Sequence, residues 1–97
     1  MKGYWIVLGT EVTDQAAQAE YGRLWAPIAE KYGVKINPAE VPPILKEARN
    51  TARVIIVEFP TYEDAVACYE DPDYQTAKAF ANKAAMRDLL ILRGEIA

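Results

Sequence analysis

Apolar residues recur along the chain in two rhythms. Tyr4-Trp5-Ile6-Val7-Leu8 is a short run of aromatic and β-branched residues closed by Gly9, too short for a helix and suited to a buried strand. After it the apolar positions open out to spacings of three and four. Ala17, Tyr21, Leu24, Trp25 and Ile28 then share one face of a helix capped by Thr13 or Asp14 and ended by Gly33. Pro27 lies inside that pattern and, lacking an amide donor, is expected to bend or interrupt the helix. Val34 to Ile36 reads as a second, short strand, and the stretch from Pro38 through Pro42 and Pro43 to Leu45 suits an edge or a loop.

The run from Arg53 to Phe59 is the clearest strand. Thr61 with Asp64 three residues on resembles a capping box and opens a helix carrying Ala65, Val66 and Tyr69. Asp71-Pro72 breaks and restarts it, Asp as N-cap and Pro at the first helical position, and the new turns hold Tyr74, Ala77, Ala81 and Ala84. Leu89 to Leu92 forms a last strand ended by Arg93 and Gly94, with Arg87 and Asp88 expected as a turn and surface pair before it. The order is βαββαβ. It predicts an α+β, ferredoxin-like fold with a four-stranded antiparallel sheet in a single domain over residues 1–97.

Two helices cover one face of such a sheet, and a monomer would leave the other face polar. These strands do not alternate. Tyr4, Ile6 and Leu8 oppose Trp5 and Val7; Val54 and Ile56 oppose Ile55, Val57 and Phe59; Leu90 and Leu92 oppose Leu89 and Ile91. Burying the second apolar face contributes on the order of 10 kcal/mol as an upper estimate, which predicts a homodimer with the sheets face to face. The alternative is a monomer whose loops wrap the sheet, for which 97 residues leave little chain.

Composition narrows the partners. A net charge of -3, from 11 Lys and Arg against 14 Asp and Glu, provides no basic stripe for nucleic acid. No apolar run approaches the ~20 residues that cross a bilayer. The N-terminal run after Lys2 resembles a signal segment, but Glu11 follows and no cleavage site appears. One cysteine, Cys68, cannot make an internal disulfide, so a reducing, cytoplasmic setting is expected. The chain has no histidine, which removes the usual general base, the usual haem ligand and the commonest zinc ligand. No phosphate loop, nucleophile elbow or metal motif is present, and no cofactor is expected.

Glu58-Phe59-Pro60-Thr61, then Ala65, Tyr69, Pro72-Asp73-Tyr74-Gln75, and Asp88-Leu89 before Gly94 resemble the DUF1330 family. The opening strand, Tyr21 and Tyr32-Gly33 also fit. The resemblance implies a ferredoxin-like subunit and a dimeric α/β barrel, a scaffold whose relatives include cofactor-independent monooxygenases, isomerases, dehalogenases and haem enzymes. Two departures stand out: Pro38-Ala39-Glu40 where members often show an Arg-Gly-Gly-like stretch, and Ala81 where many carry Arg.

Glu58 is the candidate catalytic residue, since a carboxylate in an apolar strand is desolvated and its pKa rises unless it is paired. Its structural alternative is an ion pair with Arg53, Lys2 or Arg87. Tyr21, Trp25, Tyr69 and Tyr74 are candidate substrate-binding residues on helix faces that look toward the sheet; the alternative is that they are core. Cys68, beside Val66 and Tyr69, reads as core, and Glu63-Asp64 as a first-turn pair favoured by the helix dipole. The functional expectation is a homodimer that handles a small aromatic or polyketide-like molecule, with monooxygenase-, isomerase- or cyclase-like proton transfer. The alternative is a non-catalytic binding or assembly module.

Overall fold

The strands pair into one antiparallel sheet in the order β2-β3-β1-β4, where β1 is Gly3–Gly9, β2 Lys35–Ile36, β3 Arg53–Phe59 and β4 Arg87–Arg93. This computed structural model describes residues 1–37 and 43–95. The helices are α1 (Gln15–Tyr32), α2 (Tyr62–Glu70) and α3 (Pro72–Ala84), so α2 and α3 together fill the second helical position of a ferredoxin-like α+β fold. Pro38-Ala39-Glu40 and the proline-rich stretch as far as Pro42 lie outside the described residues.

Local chemistry sets the helix ends. Asp14, rather than Thr13, caps α1 by accepting from the Ala17 amide at 2.9 Å, while Thr13 Oγ1 donates to the Ala84 carbonyl at 3.2 Å. Gly33 closes α1 in the left-handed region at φ 60°, a conformation that costs glycine little. The helix is not interrupted at Pro27. Pro27 and Arg23 are both exposed, so water can satisfy the one carbonyl that loses its amide partner. Thr61 Oγ1 caps α2 by accepting from the Asp64 amide at 3.0 Å, and Asp71 caps α3 ahead of Pro72.

The register sets Tyr4 opposite Glu58 and Leu92, and Trp5 opposite Val57 and Ile91. All three helices lie against the Trp5 face. There Trp5, Val57, Phe59, Ala65, Cys68, Tyr74 and Ala77 form a core with almost no solvent access. The other face carries Ile6, Leu8, Val54, Ile56, Leu90 and Leu92, and it is as apolar as its residues predict. Leu90 and Leu92 remain 43% and 39% exposed. Among the described residues no helix is long and apolar enough to cross a membrane.

Candidate functional site

Trp5 stands at the centre of the aromatic residues singled out above. Its ring lies 4.9 Å from Tyr74, 5.6 Å from Trp25 and 5.9 Å from Tyr69. Its Nε1 donates to the Ala65 carbonyl at 2.9 Å, which fixes the indole in place. The four candidates divide. Tyr74 is wholly buried, and Tyr69 is half-buried beneath Lys78, so both act as packing. Tyr21 and Trp25 are separated from each other by 6.4 Å with nearly parallel rings, and they line a cavity of about 280 Å³ between α1 and the sheet.

Val7, Ile55 and Val57 form the floor of that cavity, and Gln18 and Asn37 stand at its rim. Ala81 is part of its wall. Gly22 also lines it, with no heavy atom within 4 Å of where a Cβ would stand.

Two arginines complete the lining. Arg53, Gly9 and Arg87 lie abreast on the helix-covered face, one from each of three adjacent strands. Arg87 was expected in a turn with Asp88 as its partner. It instead begins β4, half-buried, where its guanidinium donates to the Tyr74 hydroxyl and lies 5.3 Å from the Tyr21 ring centroid. Arg53 Nε donates to the Thr10 carbonyl at 2.9 Å. The signal that marks both residues is strand parity. Arg53 alternates in step with Ile55 and Val57, and Arg87 with Leu89 and Ile91, so both reach the helix side.

The hydroxyls of Tyr74 and Tyr21 lie 3.3 Å apart. Burial pushes the Tyr74 phenol well above its ordinary pKa, and the Arg87 charge offsets this only in part, so Tyr74 keeps its proton. Tyr74 accepts from Arg87, and either hydroxyl of the Tyr21–Tyr74 pair can be the donor; when Tyr74 donates, the Tyr21 hydrogen is available to the cavity.

Glu58 is not brought together with these residues. Its parity is that of Val54 and Ile56, which puts it on the open face, where the Tyr4 hydroxyl donates to it at 3.2 Å. Lys2 lies 3.5 Å away and Lys35 4.0 Å. Of the three ion-pair partners expected from the sequence, Lys2 is the one found, and the Glu58 carboxylate raises the Lys2 pKa.

Two further titratable groups read as structural. Burial pushes the Cys68 thiol up to about 12, which leaves it inert. Asp71 accepts from Lys31 at 2.9 Å and from the Tyr32 hydroxyl at 2.8 Å, and these bonds, with the Asp73 amide, hold its carboxyl at about 2. The same carboxylate pushes Tyr32 up to about 12. The clamp ties the end of α1 to the start of α3. Among the described residues no cluster of His, Cys, Asp or Glu could hold a metal ion.

Solved structures share the fold. A protein of unknown function from Rhodopseudomonas palustris superposes with a TM-score of 0.66 at 21% identity, over 99% of this chain and 84% of the other. A dimeric protein of unknown function and ferredoxin-like fold from Bacteroides fragilis gives 0.59 at 15%, over 96% of both. SnoaB, a cofactor-independent oxygenase from Streptomyces nogalater, gives 0.60 at 10%, over 99% of this chain and 95% of the other. At these identities the likeness is one of fold. No curated protein matches the chain. The family profile described as a domain of unknown function, DUF1330, matches residues 2–95, and the chain belongs to that family.

Proposed function

We propose that the protein is a homodimer that holds a small, largely aromatic molecule in the cavity of each protomer and promotes proton transfer on it without a cofactor. The observation that carries this reading is the cavity itself, a walled space of about 280 Å³ floored by Trp5, Val7, Ile55 and Val57 and flanked by Tyr21 and Trp25. Apolar walls with a few convergent polar groups are the usual form of a small-ligand site, and this volume suits a ligand of one or two rings. Tyr21, backed by Tyr74 and Arg87, supplies an O–H donor for a ligand oxygen that gains negative charge as a neighbouring carbon gives its proton to solvent water at the open side of the cavity. The cofactor-independent oxygenase on the same scaffold supports this class of chemistry by analogy alone.

In this reading the open sheet face is the dimer interface. Leu90 and Leu92 are its most exposed apolar members, and Tyr4, Glu58 and Lys2 form a polar anchor at one end. Glu58 then serves association rather than the cavity. A non-catalytic binding or assembly role draws support from that ion pair and from the solid packing of Tyr74.

Thermal-shift titration with small aromatic compounds tests the site. At least one compound is expected to raise the melting temperature saturably, as a ligand of the native state must. Gly22→Trp should remove the shift by filling the cavity mouth, where a Cβ meets nothing within 4 Å. No saturable shift, or one that survives Gly22→Trp, sinks the cavity reading and leaves the assembly module.

A further inference from the structure

A guanidinium shielded from water normally faces a carboxylate, because desolvated charge is costly unless it is paired. Among the described residues neither Arg53 nor Arg87 has a carboxylate partner. Arg87 interacts with the Tyr74 and Tyr21 hydroxyls and gives one face to the Tyr21 ring, while Arg53 gives Nε to the Thr10 carbonyl. Those contacts are neutral, and they leave guanidinium nitrogens uncommitted on both residues. Among the described residues no acidic side chain lines the cavity, although the chain as a whole carries a net charge of -3. The concentration of positive charge is therefore local to this site.

The sheet explains how two like charges come to share it. Strands lie about 4.8 Å apart, so Arg53 on β3 and Arg87 on β4 flank Gly9 on β1 at roughly 10 Å between backbones. Gly9 has no side chain to fill the gap. Arg53 Nη2 crosses into it, 2.8 Å from where a Gly9 Cβ would be. A planar anion accepting from both guanidiniums would offset their repulsion and supply the missing counter-charge.

Resting on the reading that this cavity is the ligand site, we infer that its ligand is an aromatic carboxylate. The carboxylate lies between the Arg53 and Arg87 side chains where they line the cavity, and the ring lies along Tyr21, Trp25 and Trp5. Two arginines set among indole and phenol rings match a flat, apolar molecule that carries one negatively charged group.

The test compares isosteric acids and amides, benzoate with benzamide and 2-naphthoate with 2-naphthamide, by calorimetric titration of the intact protein. At least one acid is expected to bind 10-fold or more tighter than its amide. Arg53→Met and Arg87→Met should each remove that advantage while leaving amide binding within a factor of about two. Because Arg87 also touches Tyr74, Arg53→Met and the wild-type acid–amide ratio carry the result if Arg87→Met folds poorly. Equal binding of acid and amide, blocked by Gly22→Trp, overturns the carboxylate assignment and leaves the cavity as a ligand site. Binding of neither, or binding that persists in Gly22→Trp, overturns both.

Discussion

The two faces of the sheet are drawn from the same strands, one residue out of step, and both are apolar. They differ in what lies over them. On one side α1, α2 and α3 bury Trp5, Val57 and Phe59 almost completely. On the other, Ile6, Leu8, Val54 and Ile56 are only partly covered and Leu90 and Leu92 stand half-exposed, with Tyr4 and Glu58 buried at one end. The comparison teaches that hydrophobicity marks a face for burial without naming its cover. It also separates the titratable groups, since the strand arginines face the helices and the strand carboxylates Glu58 and Asp88 face away.

The largest effect should come from removing the centre of the covered face. Trp5→Ala deletes a wholly buried indole and its hydrogen bond to Ala65, and large core truncations of this kind cost about 3–5 kcal/mol. Urea unfolding should show most of the stability of a small domain gone; a loss under about 1 kcal/mol would mean that the cluster is not a core. On the open face, Leu90→Glu should leave the fold intact by circular dichroism. It should weaken self-association ~100-fold or more by placing a charge in each half of an apolar interface. Sedimentation equilibrium reads this directly, and an unchanged dimer would move the interface elsewhere.

A smaller contrast lies within β1, where Gly3 and Gly9 both face the helices. A Cβ at Gly3 would stand 2.6 Å from the Tyr62 Cα and 2.9 Å from the Ala65 Cβ, so Gly3→Ala must displace α2 and should cost about 1–3 kcal/mol. At Gly9 the added methyl meets only the mobile end of Arg53, so Gly9→Ala should cost under about 1 kcal/mol while lowering affinity for an aromatic acid. Equal losses of stability at the two positions would contradict this account.

The smallest effect is electrostatic and belongs to the helix layer. The Asp71 carboxyl is held near 2 in the folded protein against an ordinary 3.8, so the folded state binds its proton less readily than the unfolded chain. Its stabilising contribution is therefore complete above the ordinary value and lost as pH falls through about 2. Denaturant midpoints followed through that window should fall in wild type and flatten in Asp71→Asn, which retains a capping oxygen without the charge. Parallel slopes in the two proteins would show that another carboxylate carries the transition.

Much of this layout was legible residue by residue. The run from Arg53 to Phe59 is a strand with the expected bounds, and the Asp71-Pro72 restart and the buried Tyr74, Ala77, Ala81 and Ala84 fall where capping chemistry and helical spacing put them. Reading went astray where a local rule met a tertiary context. Pro27 breaks no helix because its neighbours face water, and Arg87 forms no turn because pairing with Gly9 extends β4 over it. Of the four aromatic candidates, Tyr21 and Trp25 line the cavity and Tyr69 and Tyr74 do not. Arg53 and Arg87 carry no apolar signal of their own, and only the parity of the strands they begin puts them on the helix side.

The sequence by itself determined the elements, their order and the apolarity of both sheet faces, because capping, helical spacing and strand alternation act over a few residues. Tertiary structure alone decided which aromatics became core and which became cavity wall, since helix and sheet must first be docked before a gap between them exists. It also brought Arg53 and Arg87 together across Gly9 and sent Glu58 to the opposite side. Those placements depend on strand register and on which face the helices cover, properties of segments separated in the chain that no local pattern specifies.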